Sequence, residues 1–157
     1  MDVIKPPNVF YLDSSPVVFL AGSIEQDTAV RWQDAICEEL TSYKGVILNP
    51  RRDMWDASWK QDMQNKEFYR QVNWELRGLK YADIVAFYFD PTTKSPITML
   101  ELGLCATNHK QKKVVCCPEG FWRKGNVDIT CEFYGVNMVS SFQQLVDYLK
   151  RNVSSTL

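Results

Sequence analysis

Short, continuous apolar runs alternate along this chain with segments in which apolar residues recur about every 3.6 positions. The runs are of strand length and are typical of strands that are buried on both faces. They predict strands at 17–22, 46–48, 84–89 and 113–117, with a weaker one at 136–139. The periodic segments predict helices from an N-cap at Asp27 or Thr28 to Tyr43, and at about 67–81, 97–108 and 141–152.

Three segments lack both patterns. Residues 1–15 contain Pro, Asn, Ser and Asp and are expected to form an irregular lead-in. Residues 51–66 form a polar connection that is long for a compact domain, and connections of this length are usually functional. Residues 119–128, which contain Gly and Trp, are expected to be a loop.

Strands that alternate with helices at this spacing indicate a parallel sheet with helices on both faces. The predicted fold is α/β: a single doubly wound, flavodoxin-like domain over residues 1–157, with a five-stranded, mostly parallel sheet of strand order 2-1-3-4-5. Ligands of such sheets bind at the carboxyl ends of the strands. The segments expected to meet at that edge are Gly22-Ser23, Asn49 to Arg52, Asp90 to Glu101, and the loop after Cys117.

Composition and charge argue against several classes of function. The 157 residues carry a net charge of −1, which provides no electrostatic footprint for a nucleic-acid polymer or an anionic membrane. No apolar run approaches the roughly 18 residues that cross a bilayer, and the first ten residues lack the features of a signal peptide. The five cysteines form no C-x-x-C pair and there is one histidine, so we expect a reduced cytoplasmic protein without a metal site.

The most unusual residue of the pattern is Glu101, a carboxylate among Met99, Leu100, Leu102 and Leu104. An ionised Glu in apolar surroundings costs several kcal/mol unless it is paired or functional. A capping role near a helix start, with Ser95 or Thr98 as the N-cap, would explain its position but not those surroundings. We therefore interpret Glu101 as functional, and expect the helix dipole to keep it ionised as a nucleophile.

Each of the other candidates also has a structural alternative. Gly22-Ser23 after the first strand would let backbone N–H groups approach a ligand, or would simply form a tight turn. Arg51 and Arg52 could hold a phosphate while Trp55 stacks on a base or sugar, or they could pair with acids while the ring covers the core. On its helix Glu75 lies beside an apolar stripe of Val72, Leu76 and Leu79, where a solvated carboxylate is the ordinary interpretation.

Three strings, FLAGS at 19–23, ADIV at 82–85 and SPITMLELG at 95–103, together resemble the nucleoside 2-deoxyribosyltransferase family, a superfamily that includes 2′-deoxynucleoside 5′-phosphate N-hydrolases. The resemblance runs from about residue 17 to 139. It implies a glutamate nucleophile, Glu101, that attacks C1′ of the sugar, expels the base and forms a glycosyl ester. A second base or water then resolves the ester. It also implies that Glu75 assists departure of the base, although an Asp is usual there.

The residues that match the family give conflicting indications of whether the substrate carries a phosphate. Ser95 and Ser23 match phosphate-binding serines of the hydrolases, but Glu25 stands where those enzymes have an Arg. Asn126 matches a transferase Asn that reaches from a neighbouring subunit to the sugar 5′-hydroxyl. A family tyrosine that orients the nucleophile is absent from the first strand, and Tyr88 is a candidate to replace it.

The preferred hypothesis is deoxyribosyl transfer between bases, with no cofactor. Its substrate would be a small nucleoside or nucleotide plus a free base, bound by Gly22, Ser23, Arg51, Trp55, Asp90, Ser95 and Asn126, in a homodimer or larger homo-oligomer. The alternatives are hydrolysis of a nucleoside 5′-monophosphate and a non-catalytic nucleotide-binding module. An FMN carrier is disfavoured, because the segment after Ser23 is too acidic for a phosphate loop.

Overall fold

The computed structural model describes residues 1–11, 13, 15–25, 27–54, 56 and 58–153. Over these residues it contains six strands and five helices. The strands are β1 (Asp2–Ile4), β2 (Val17–Gly22), β3 (Val46–Leu48), β4 (Ile84–Tyr88), β5 (Lys112–Cys116) and β6 (Asn137–Val139). The helices are α1 (Trp32–Glu39), α2 (Lys66–Tyr81), α3 (Pro96–Ala106), α4 (Lys124–Tyr134) and α5 (Phe142–Val153).

All neighbouring strands are parallel, in the order β1-β3-β2-β4-β5-β6. Without β1 this is the predicted order 2-1-3-4-5, so the flavodoxin-like α/β fold is confirmed. The additional edge strand corrects the expectation of an irregular lead-in. The β-branched pair Val3-Ile4 suits a strand, and Pro6-Pro7 ends it soon after.

The sheet separates two hydrophobic clusters. One contains residues from α2, α3 and α4, together with Phe19, Val85 and Phe87 of the sheet. The other contains residues from α1 and α5, together with Leu20 and Ala86. All six residues of β2 are buried, as expected for a strand covered on both faces.

Two helices differ from the prediction. Helix α1 begins at Trp32 rather than after Asp27 or Thr28, because Asp27 has a φ of 72° and its carboxylate binds Arg51 and Arg31 instead of capping a helix. Helix α4 occupies part of the predicted loop at 119–128 and all of the following segment up to Tyr134. Its β-branched residues, Gly125 and Asn126 have low helix propensity, which hid it in the sequence.

The apolar stripe predicted on α2 is less buried than expected, and α3 also exposes several apolar side chains. On α2, Leu76 is exposed and the inward positions are Gln71, Gly78 and Leu79. On α3 the residues that face the protein are Thr98, Glu101, Leu102, Cys105 and Ala106. The side chains of Ile97, Leu100 and Leu104 on the same helix are exposed. Among the described residues, no helix has the length and hydrophobicity required to traverse a lipid bilayer.

Candidate functional site

The carboxyl ends of the parallel strands form one connected edge, as the sequence predicted. Arg51, after β3, donates from Nε to Asp27 Oδ1 of the loop after β2 at 2.6 Å. The backbone N–H of Val30 in that loop donates to Asp90 after β4 at 3.1 Å. Trp122, after β5, donates to the carbonyl of Lys94 at 3.0 Å. The loops that follow four successive strands of the sheet are therefore joined.

Glu101 lies on the inward face of α3 and is only 8% exposed. No hydrogen bond to its carboxylate is found from any residue that the structure describes. Burial, and then the negative charge of Glu75, raise the pKa of Glu101 well above its ordinary value. The helix dipole does not lower this pKa as expected, because Glu101 is the sixth residue of α3 and the dipole acts within the first turn.

Glu75 lies on α2, partly exposed along its length but with its carboxylate deep enough for burial to dominate its pKa. Burial raises the pKa of Glu75 to about 7, although a hydrogen bond from Gln71 and the positive charge of Arg52 act to lower it. The ordinary interpretation of a solvated helix carboxylate therefore does not hold for Glu75.

The two carboxyl groups form an electrostatically coupled pair, since the charge of Glu75 contributes to the raised pKa of Glu101. Coupled carboxyls lose their protons in two steps that belong to the pair rather than to either residue. A pair of this kind can share a single proton between its two carboxyl groups. It can therefore provide one carboxylate and one carboxylic acid at the same time, which nucleophilic attack and leaving-group protonation require.

Gln71 and Arg52 connect Glu75 to the loop after β3. Gln71 Nε2 donates to Glu75 Oε1 at 2.7 Å, and Arg52 Nε donates to Gln71 Oε1 at 2.5 Å. The Arg52 guanidinium lies 4.7 Å from the centre of the Trp59 ring. Sequence reasoning missed Gln71, although its position one helical turn before Glu75 was a readable signal.

Ser23, Thr93 and Ser95 form a buried cluster of three hydroxyl groups. Ser95 Oγ lies 2.5 Å from Ser23 Oγ and 2.7 Å from Thr93 Oγ1. The backbone N–H of Asp90 donates to Ser23 Oγ at 2.8 Å. The predicted grouping of Ser23 with Ser95 and Asp90 is thus observed, and Thr93 is an addition that the sequence did not reveal.

Glu25 occupies the N-terminus of α3. Its Oε1 accepts from the backbone N–H of Lys94 at 3.0 Å and from that of Ser95 at 2.6 Å. Ser95 is the N-cap residue but its own side chain caps nothing. Glu25 has a φ of 46°, which is unfavourable for a residue with a side chain. The protein thus places its own carboxylate where helix N-termini favour an anion.

Asp90 and Gly22 have structural explanations. Burial acts to raise the pKa of Asp90, but hydrogen bonds from Thr92 and from the Val30 backbone outweigh it and hold that pKa below its ordinary value. A Cβ on Gly22 would lie 2.5 Å from the Trp32 ring and 2.5 Å from the Tyr88 carbonyl oxygen. Close packing therefore requires glycine at position 22.

Arg51 is 1% exposed and donates within the protein. Its acceptors are Asp27, the Ala29 and Val30 carbonyls, and Gln33. In this arrangement Arg51 holds the loop after β2. Of the two alternatives that the sequence left open, this is pairing within the protein rather than binding of a phosphate. The predicted contact of Trp55 lies outside the described residues.

The positions of Asn126 and Tyr88 differ from those that the sequence suggested. Asn126 is in α4, not in a loop, and its side chain is exposed. The ring of Tyr88 packs on Trp32 at 5.4 Å and on Phe142 at 5.9 Å, within the cluster formed with α1 and α5. Since α3 covers the opposite face of the sheet, Tyr88 does not replace the missing tyrosine beside Glu101.

Over the described part of the chain, no group of three or more His, Cys, Asp or Glu residues is arranged to hold a metal ion.

Comparisons with known proteins identify a family and a fold. Residues 15–121 match the family described as nucleoside 2-deoxyribosyltransferase like. The fold is similar to that of a solved structure described as a conserved protein from Enterococcus faecalis V583, with a TM-score of 0.62 and 15% identity over 88% of this chain and 99% of that one. No curated protein has a significantly similar sequence.

Proposed function

The chain belongs to the nucleoside 2-deoxyribosyltransferase-like family, and on that premise we propose that it transfers a 2-deoxyribosyl group from a deoxynucleoside to another base through Glu101. The observation that carries the proposal is the Glu101 carboxyl, which is 8% exposed and has no hydrogen-bond partner among the described residues. It lies beside a second carboxyl, Glu75, that titrates near neutral pH. A buried, unpaired carboxyl is costly to stability, and such groups are most often retained for function.

The proposed reaction has two steps: Glu75 gives a proton to the departing base in the first and takes a proton from the incoming base in the second. In the first, a Glu101 oxygen forms a bond to C1′, the C1′–N bond breaks, and the proton of Glu75 passes to the departing base. In the second, a nitrogen of the incoming base attacks C1′, the ester bond to Glu101 breaks, and the proton of that nitrogen returns to Glu75. The net charge of the pair is the same before and after.

The hydrogen bonds of Glu25 support a substrate without a 5′-phosphate. Its carboxylate already binds the two N–H groups at the start of α3, so a phosphate near them would meet a negative charge and fewer free donors. The hydroxyls of Ser23 and Ser95 nonetheless remain in place. They favour, as second candidate, a hydrolase that acts on a deoxynucleoside 5′-monophosphate.

An exposed apolar face supports self-association. On α3, Ile97, Leu100 and Leu104 are 60%, 59% and 53% exposed, and on the adjoining α4, Ile129 and Phe133 are 68% and 80% exposed. Asn126 lies one turn before Ile129 on the same side of α4. We infer that a second copy of the chain covers this face and that Asn126 reaches the partner's sugar site.

One variant separates association from folding. Leu100→Glu places a charge at the centre of the exposed face and is expected to yield a folded monomer, whereas Tyr69→Glu, at an exposed aromatic on α2, is expected to leave the association unchanged. Light scattering after gel filtration measures the molar mass of both variants and of the wild type. A wild-type monomer would contradict the inferred association.

Turnover of defined mixtures tests the reaction. The wild type, Glu101→Gln and the exposed-site control Glu38→Gln are each incubated with a deoxynucleoside and a different free base, and separately in water alone, with products followed by chromatography. We expect a new deoxynucleoside with the wild type and the control, and a loss of at least about 10³-fold with Glu101→Gln. Release of base without exchange would favour the hydrolase, and binding of nucleotides without any turnover would favour a non-catalytic module.

A further inference from the structure

Gln71 is almost fully buried, at 2% exposure, and uses both ends of its amide. Its Nε2 donates to the carbonyl of Pro50 at 3.1 Å and to Glu75 Oε1 at 2.7 Å. Its Oε1 accepts from Arg52 Nε at 2.5 Å. The side chain therefore bridges the acid of the proposed pair and the loop after β3.

These partners fix which way the amide of Gln71 points. With the amide reversed, its NH₂ group would face the N–H of Arg52, and its oxygen would face the carbonyl oxygen of Pro50. Both contacts would be repulsive in a buried place. Pro50 and Arg52 therefore fix the orientation in which an N–H of Gln71 points at Glu75.

A fixed donor at Oε1 determines where the proton of Glu75 lies. An oxygen that accepts an N–H hydrogen bond is a poor place for a proton, since the two hydrogens would meet. No described residue donates to Oε2 of Glu75, so that oxygen is the one able to carry the proton. The acid thus has one defined proton-bearing atom.

We propose that Gln71 is a positioning residue that keeps Oε2 of Glu75 as the proton-bearing oxygen, and that Arg52 holds Gln71 in the orientation this requires. The inference rests on the proposed function, because the proton is the one delivered to the departing base. Gln71 itself need not touch the substrate. Its loss should impair proton delivery more than formation of the bond to C1′.

The first test uses the leaving group. Gln71→Met keeps an unbranched side chain of similar size but removes the amide. The matched control is Gln111→Met, which removes a buried amide that donates to the Leu79 and Ala82 carbonyls, just before β5 at the opposite edge of the sheet. The substrates are a deoxynucleoside, whose base leaves with a proton, and 4-nitrophenyl 2-deoxyriboside, whose phenolate leaves without one.

We expect Gln71→Met to lower kcat on the deoxynucleoside about tenfold, a fraction of the 10²–10⁴ that a general acid contributes, and to leave kcat on the nitrophenyl substrate within about twofold. Gln111→Met should change neither rate by more than about twofold. An equal loss on both substrates with Gln71→Met would overturn the proposal, because it would show general damage to the site.

The second test does not depend on turnover. In a Glu101→Gln background, where Glu75 titrates without its coupled partner, the carboxyl ¹³C signal of Glu75 is followed against pH with Gln71 intact and with Gln71→Met. The N–H of Gln71 lowers the pKa of Glu75, so we expect the midpoint to rise by about half a pH unit or more in the variant. An unchanged midpoint would overturn the proposal.

If Gln71→Met does not fold, Gln71→Leu serves both tests. It also removes the amide donor to Glu75 and should move the midpoint upward as well. A wild type that turns over no substrate would refute the proposed function, and the titration would still decide whether Gln71 controls the proton of Glu75.

Discussion

Replacing Glu75 by Gln should stabilise the protein at alkaline pH and not at acid pH. The variant keeps the acceptor oxygen that Gln71 binds but cannot ionise. In the wild type the pKa of Glu75 is raised from an ordinary value of 4.5 to about 7, with burial as the main cause. The folded protein therefore holds the Glu75 proton more tightly than the unfolded chain does.

The sign of the effect follows from proton linkage. Between pH 4.5 and about 7 the folded state binds more protons at Glu75 than the unfolded state, so the free energy of unfolding decreases as the pH rises through this window. A pKa that moves from 4.5 to about 7 corresponds to about 3 kcal/mol above the window, at roughly 1.4 kcal/mol per pH unit. At pH 5 only about 1 kcal/mol of that cost is present.

Urea unfolding of the wild type and Glu75→Gln at pH 5 and pH 8 measures this cost. We expect the stability of the variant relative to the wild type to improve by about 2 kcal/mol between the two pH values. Glu38→Gln, at an exposed carboxyl of α1, is the control for the chemical change from Glu to Gln. A stability difference that is the same at both pH values would refute the argument that burial sets the pKa of Glu75.

Three further outcomes are expected. Turnover of a deoxynucleoside should fall as the pH rises above about 7, because Glu75 then loses the proton that the departing base needs. A rate that does not fall above this pH would contradict the role of Glu75 as the acid. Glu25→Gly relieves a φ of 46° and frees two N–H groups. It should therefore raise kcat/KM for a deoxynucleoside 5′-monophosphate about tenfold relative to the unphosphorylated substrate. An unchanged ratio would show that Glu25 does not discriminate against a phosphate. Gly22→Ala should lower the free energy of unfolding, measured with urea, by about 1–3 kcal/mol. The reason is that the new methyl group would lie 2.5 Å from the Trp32 ring and from a backbone carbonyl oxygen. An unchanged free energy of unfolding would show that these neighbours move to make room.

The arrangement of the sheet was predictable because it follows from hydrophobic periodicity and from the handed connections of parallel strands. The runs that became β2, β4 and β5 are apolar enough to require cover on both faces, which leaves few arrangements. The position of Ser23, Asp90 and Ser95 at one edge then follows from strand direction alone. Helix α4 was missed because its residues have weak helix propensity and tertiary packing supplies its stability.

The environment of each candidate was less predictable than its position. The pKa of Glu75 depends on burial of its carboxyl group and on the hydrogen bond from Gln71, which periodicity does not reveal. The donors of Arg51 are engaged by carbonyl groups of a loop whose path depends on two residues with positive φ. Such features arise from contacts between distant segments, so they require the folded structure.

Covalent trapping tests the central claim most directly. A 2′-fluoro-2′-deoxyarabinosyl nucleoside carries an electron-withdrawing group that slows breakdown of a glycosyl ester. After reaction with such a nucleoside, the intact mass of the protein should increase by that of one fluorosugar, and peptide mapping should place the adduct on Glu101. Glu101→Gln should form no adduct, while Glu75→Gln should still be labelled if the leaving group needs no proton. An adduct on another residue, or turnover without any adduct, would contradict a glutamyl intermediate at Glu101.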